Sequence, residues 1–195
     1  MLKKPIIKLF LIMILVSSAN VFAVGPGDKV DDFKLKDPDG KEYKLSDALS
    51  KSNYIVVMFW SVQCPFVQAY TDRINTLANE YSSKGITFWA VNANSTESMN
   101  EVKAHAREKG YPFPVLKDAN NVVADMLGAT RTPEVFLIDK DREIVYHGRI
   151  DDNREEDKVT TSDLRHALDD VLAGNDVTIK STKSFGCSIK RTSEQ

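Results

Sequence analysis

An unbroken apolar run, Tyr54-Ile55-Val56-Val57-Met58-Phe59-Trp60, leads directly into Ser61-Val62-Gln63-Cys64-Pro65. A run rich in β-branched and aromatic side chains, without polar alternation, predicts a strand covered on both faces, as at the centre of a sheet. After Pro65 the pattern changes period. Phe66, Tyr70, Ile74, Leu77 and Tyr81 recur at spacings of three and four, which predicts one apolar helix face and a stop near Gly85. Residues 86–93 predict a second strand, and Asn94-Ser95-Thr96 a cap for a helix running to about Gly110. The chain therefore begins its core as strand, helix, strand, helix.

The flanking segments complete the pattern. Residues 33–45 predict a hairpin, with Phe33 and Leu35, a Pro38-Asp39-Gly40 turn, then Tyr43 and Leu45; Ser46-Asp47 offers a cap for a short helical turn. Downstream come Phe113 to Leu116, a short helix over 121–127, and Thr132-Pro133 at the mouth of the strand 135–139. Lys140-Asp141 turns the chain into an antiparallel partner over 144–149. Leu164, Ala167, Leu168, Val171 and Leu172 mark a terminal helix that stops at Gly174. The Asp151 to Asp157 stretch predicts a solvated loop.

The first 23 residues predict a signal peptide: Lys3, Lys4 and Lys8 precede an apolar Leu9 to Val16 run, and Val21-Phe22-Ala23 ends on a small residue. The apolar run is shorter than the ~20 residues of a spanning helix. The expected organisation is a signal peptide over 1–23, one domain over 24–174 and a tail over 175–195 that carries Cys187. Export to a periplasm or the exterior follows, with no membrane attachment after cleavage. The net charge of −2 becomes more acidic once the three leader lysines are removed, which excludes nucleic acid as an expected partner. The three histidines, His105, His147 and His166, lack metal-site spacing, so no metal and no cofactor are expected. Gly25-Pro26-Gly27 lacks the strand and Lys-Ser/Thr of a phosphate loop. Trp60 and Trp89 are expected in the core or at a site rim.

The order of elements, with proline at the mouth of the third strand, resembles the thioredoxin-like superfamily, in its redoxin and peroxiredoxin-like branch. The resemblance rests on Gly27 through Phe33 with the Asp37-Pro38-Asp39-Gly40 turn, on Val57-Met58-Phe59-Trp60 leading to the cysteine loop, and on Gly128-Ala129-Thr130-Arg131-Thr132-Pro133 before Phe136-Leu137-Ile138-Asp139. Cys64-Pro65-Phe66-Val67 and Gly186-Cys187-Ser188-Ile189-Lys190 are similar to a group with Cys-x-x-Cys-Pro-Phe/Tyr-Val in the loop and Gly-Cys-Ser/Asn-Ile-Lys near the end. In this chain Ser61 replaces the first loop cysteine, so no dithiol cycle exists within the loop. The proline that peroxiredoxin sites carry a few residues earlier is also absent, with Val57 near its place. The resemblance implies an α/β, three-layer thioredoxin-like fold with a central mixed sheet and an N-terminal hairpin extension. It also implies that Pro133 is a cis proline facing the cysteine loop.

Pro is favoured at the first helical position, so Pro65 predicts Cys64 at the N-cap, where unpaired N–H groups and the aligned peptide dipole stabilise a thiolate. Cys64 is accordingly the expected nucleophile. Ser61 is a candidate hydroxyl donor to that thiolate or to a peroxide oxygen, set against the alternative that it is a vestige of a lost cysteine. Thr132, Pro133 and Arg131 are the candidate substrate-binding residues, Arg131 as a source of positive potential. Cys187 is the candidate resolving thiol. The stretch from Gly174 to Cys187 spans ~40 Å when extended, so reach permits the pairing, and Ile179, Phe185 and Ile189 are expected apolar anchors for the tail. The alternative is a frayed tail whose thiol stays free or pairs between molecules.

Two functions follow. In the first, the chain is a thiol-dependent oxidoreductase in which Cys64 attacks a peroxide or a disulfide and an external thiol restores it. In the second, it is a binding module that has lost dithiol chemistry and holds a partner segment near Thr132-Pro133.

Overall fold

A computed structural model of the chain describes residues 24–192; the expected signal peptide lies outside them. The elements in chain order are β1 (Lys34–Lys36), β2 (Glu42–Lys44), α1 (Leu45–Leu49), β3 (Tyr54–Trp60), α2 (Pro65–Ser82), β4 (Ile86–Asn92), α3 (Met99–Lys109), β5 (Val115–Lys117), α4 (Val122–Met126), β6 (Arg131–Thr132), β7 (Glu134–Asp139), β8 (Ile144–Gly148), α5 (Asp163–Leu172) and β9 (Cys187–Ser188). Seven strands form a mixed sheet in the order β2-β1-β5-β4-β3-β7-β8, and β6 pairs with β9 as a separate two-stranded ribbon. The strands β3, β4 and β5 run parallel, and β7 returns antiparallel to β3. This is the expected α/β thioredoxin-like arrangement, with the β1-β2 hairpin as its N-terminal extension.

The alternation of β3 divides the core. Val56, Met58 and Trp60 face a layer supplied by α2, α3 and α5, with Tyr70, Ile74, Val102, Leu164 and Leu168 among its buried residues. Ile55, Val57 and Phe59 face the other layer, where Leu45, Leu49, Val123 and Ala124 come from α1 and α4. Both faces being covered is what a continuous apolar strand requires. Trp60 and Trp89 are both core residues.

Several local expectations are corrected. Helix α3 is capped by Ser98, whose hydroxyl accepts from the Glu101 N–H while the Glu101 carboxylate accepts from the Ser98 N–H. That reciprocal capping box outcompetes the Asn94-Ser95-Thr96 cluster and frees the preceding loop to turn inward. Helix α1 starts at Leu45 rather than at a Ser46-Asp47 cap. The acidic segment after β8 is not wholly solvated: Asp151 is 3% exposed and accepts hydrogen bonds from the Tyr70 hydroxyl at 2.5 Å and from Arg73 at 2.6 Å. A carboxylate can be buried there because a cation and a hydroxyl satisfy it.

Candidate active site

The site is assembled where β3 ends, α2 begins and the loop into β7 crosses. Cys64 has extended backbone angles (φ −84°, ψ 115°) and is the N-cap of α2, with Pro65 at the first helical position. Residues Thr132 and Pro133 join through a cis peptide bond. The Cys64 Sγ lies 3.1 Å from the Thr132 carbonyl oxygen and 2.6 Å from the Cys187 Sγ. Cys64 is 1% exposed, whereas Cys187 is half-buried.

Cys187 is brought there by strand pairing. Strand β9 runs antiparallel to β6, with Cys187 opposite Thr132 and Ser188 opposite Arg131. Gly186 makes the approach possible: its φ is +139°, and a Cβ there would fall on the Thr132 carbonyl oxygen. That is the close backbone contact only glycine allows. Upstream, the tail is anchored by Thr182, whose N–H donates to the His147 carbonyl at 3.1 Å, and by the Phe185 ring set edge-on to Phe66 at 6.0 Å. Buried Val177 and Ile189 hold the two ends; Ile179, expected as an anchor, is 52% exposed. Its place is taken by Val177, two residues earlier.

The two thiols are displaced in opposite directions. Burial pushes Cys64 up, but the Cys187 thiol, the Thr132 side chain and the backbone N–H groups of Val67 and Cys187 outweigh it, so Cys64 sits below the ordinary thiol value. Its sulfur closes no hydrogen bond of capping geometry, although the Val67 N–H favours its ionised form. Burial, reinforced by the neighbouring Cys64 sulfur, pushes Cys187 up to about 11. A pair in which one sulfur ionises easily and the other keeps its proton is ordered for nucleophilic attack by the first.

The remaining candidates are placed as follows. Ser61 is buried and donates its hydroxyl proton to Glu97 Oε1 at 2.6 Å, while accepting from Asn94 Nδ2 at 2.8 Å. Its single proton is therefore committed away from Cys64. The Arg131 side chain extends along the tail, donating to the Ser188 hydroxyl at 3.0 Å. The buried Thr132 hydroxyl closes no hydrogen bond of standard geometry among the described residues, so it favours the Cys64 thiolate only as a nearby donor. Two carboxylates escaped the sequence reading. Glu134 accepts from the Thr130 and Arg131 N–H groups and pairs with His147 at 2.8 Å, which shapes the loop around Pro133. Glu97, 1% exposed, accepts from the N–H groups of Val62 at 2.9 Å and Gln63 at 3.0 Å, immediately before Cys64. Glu134 is signalled by its place directly after Pro133; nothing in Ser95-Thr96-Glu97-Ser98 distinguishes a buried acid from a solvated one.

Known proteins share this architecture. The chain is 30% identical over 122 residues to the thiol-disulfide oxidoreductase ResA of Geobacillus thermodenitrificans (strain NG80-2), a match covering 63% of this chain and 68% of that protein. A hypothetical protein from Sinorhizobium meliloti 1021 has a crystal structure that superposes with a TM-score of 0.81 at 37% identity, covering 89% of this chain and 98% of that one. The peroxidoxin BcpB of Mycobacterium tuberculosis, at 22% identity and a TM-score of 0.57, covers 77% of this chain and 95% of that one and shares the fold. The family model described as Redoxin matches residues 25–168, and with the thioredoxin-like fold around Cys64 and cis Pro133 it establishes that this chain belongs to the Redoxin family.

Proposed function

We propose that the chain is a thiol-disulfide oxidoreductase whose redox pair is Cys64 and Cys187, one cysteine from the helix N-terminus and one from the tail. The observation that carries the reading is the 2.6 Å separation of the two sulfurs, held by β9 pairing with the residue before Pro133. Relatives named thiol-disulfide oxidoreductases support thiol-dependent redox chemistry as the class of reaction. In the forward direction the Cys64 thiolate attacks one sulfur of a substrate disulfide, and the other sulfur leaves as a thiolate. That leaving thiolate takes the Cys187 proton, and Cys187 then attacks the Cys64 sulfur, expelling the second substrate thiolate and closing the Cys64–Cys187 bond. Two thiols have been oxidised and one disulfide reduced. An external thiol resets the pair by the reverse exchange.

Disulfide exchange is favoured over peroxide reduction because Ser61, expected as the donor to a peroxide oxygen, gives its proton to Glu97, and Arg131, expected as a source of positive potential, is engaged with Ser188. The Lys3, Lys4, Lys8 and Leu9 to Val16 pattern supports export to a periplasm or the exterior as the setting. Among the described residues, no helix is long and apolar enough to cross a membrane. The test is reduction of a low-molecular-weight mixed disulfide coupled to an external thiol. Cys64→Ser is expected to abolish turnover, and Cys187→Ser to trap substrate thiol on Cys64 as a mass adduct. Full turnover by Cys64→Ser would refute the assignment.

A further inference from the structure

Glu97 touches neither sulfur, yet every acceptor position of its carboxylate is used. Oε1 accepts from the Ser61 hydroxyl at 2.6 Å, the Gln63 N–H at 3.0 Å and Asn94 Nδ2 at 3.0 Å; Oε2 accepts from the Val62 N–H at 2.9 Å and from Asn92 Nδ2. A buried carboxylate is tolerated only when satisfied in this way. Burial raises its pKa, and these donors more than reverse the effect, so the group is held ionised. Lys117 closes the cluster from below, donating to Asn92 Oδ1 and to the Asn94 and Glu97 carbonyls at 2.6, 2.6 and 2.8 Å.

Asn94 carries this cluster across to the tail. Its Nδ2 serves Ser61 and Glu97, while its Oδ1 accepts from the Lys190 N–H at 2.7 Å, and the adjacent Ser95 N–H donates to the Lys190 carbonyl at 2.7 Å. Gln63 is the residue before Cys64, and Lys190 lies three residues beyond Cys187. The cluster thus grips the chain beside each cysteine.

We propose that Glu97 and Asn94 are positioning residues that form one brace between the Cys64 loop and the Cys187 tail, and so set how favourably the two thiols close into a disulfide. The inference rests on the assignment of Cys64 and Cys187 as the redox pair. An intramolecular disulfide is favoured by the effective concentration of one thiol at the other, and that concentration falls when either segment is free to move. A purely structural role would lower the stability of the oxidised and reduced forms alike and leave their ratio unchanged; the brace stabilises the juxtaposition itself.

The test is equilibration of the mature full chain against defined ratios of reduced to oxidised glutathione, with thiol alkylation and mass analysis at each ratio. Glu97→Gln keeps the shape but turns an amide N–H₂ toward groups that are themselves donors. It is expected to lower the equilibrium constant for the Cys64–Cys187 disulfide at least tenfold, a potential ~30 mV more positive. Asn94→Ala leaves the Val62, Gln63 and Ser61 bonds to Glu97 in place and removes the side-chain link from Glu97 to the Lys190 N–H, with only the Ser95 backbone bond to Lys190 remaining; it is expected to shift the constant in the same direction, and it decides the matter if Glu97→Gln does not fold. A constant within twofold of the wild type in a folded Asn94→Ala or Glu97→Gln variant overturns the brace. Failure of the wild type to form the Cys64–Cys187 disulfide at any ratio overturns the redox pair and the brace with it, a result readily told apart from the first.

Discussion

The sulfurs of Cys64 and Cys187 are neighbours with opposite acid–base character, which suits the proposed order of attack, Cys64 first. For Cys64, burial opposes ionisation, but the Cys187 thiol, the Thr132 side chain and two backbone N–H groups overcome it; for Cys187, burial and the adjacent sulfur act together. Absorbance of the reduced protein near 240 nm should therefore rise in two steps, the first below the ordinary thiol value of 9.0 and the second at about 11. These steps belong to the pair as a whole. Cys187→Ala removes the upper step and, by deleting a donor, moves the lower one upward. A single step at the ordinary thiol value accounting for both cysteines would contradict this ordering. Ser61 behaves differently from a catalytic donor because its proton already belongs to Glu97. Ser61→Ala leaves a buried carboxylate short of one charged hydrogen bond, so a loss of about 1.5–3 kcal/mol in stability is expected, with disulfide exchange retained. Denaturant unfolding alongside an exchange assay checks both halves; loss of exchange in a stable Ser61→Ala protein would restore the serine to the chemistry.

The two-stranded ribbon of β6 and β9 decides where Cys187 stands. It contributes only two residue pairs, so its register depends on the contacts around it: Gly186 against the Thr132 carbonyl, Phe185 against Phe66, and the Ile189 N–H donating to the Thr130 carbonyl at 3.0 Å. Gly186→Ala meets two obstacles at once, a backbone angle that L residues rarely adopt and a Cβ placed on a carbonyl oxygen. The expected outcome is a folded domain with an undocked tail: a melting temperature within a few degrees of wild type, but Cys187 alkylated much faster, by tenfold or more, in the reduced protein. Unchanged alkylation of Cys187 would show that the ribbon does not set its position. The helix side of the site is less sensitive, because Pro65 and the long apolar face of α2 fix the N-cap independently of the tail.

Across the whole molecule, the parts legible in the sequence are those governed by periodicity and by chain punctuation. The apolar run of β3 and the three-and-four spacing along α2 each express a local rule that the tertiary structure leaves intact, whereas the cis Thr132-Pro133 bond is implied by the family resemblance alone. The polar parts of the site were not legible in the same way. Asn94 and Glu97 belong to a short run that has the composition of a helix cap, and only the competing capping box at Ser98 and Glu101 makes them available to the interior. Asp151 sits in an acidic segment, and nothing local announces that Tyr70 and Arg73 on α2 will reach it. Burial of a polar group is decided by partners distant in sequence, so spacing carries little of it. The same holds for Cys187: reach along the chain permits the encounter with Cys64, and the antiparallel register with β6 brings it about. The most direct measurement is non-reducing peptide mapping of the monomeric protein after one equivalent of oxidant. The account predicts one cross-linked peptide joining Cys64 to Cys187 within a single chain; recovery of Cys187 as a free thiol while Cys64 is oxidised would contradict it.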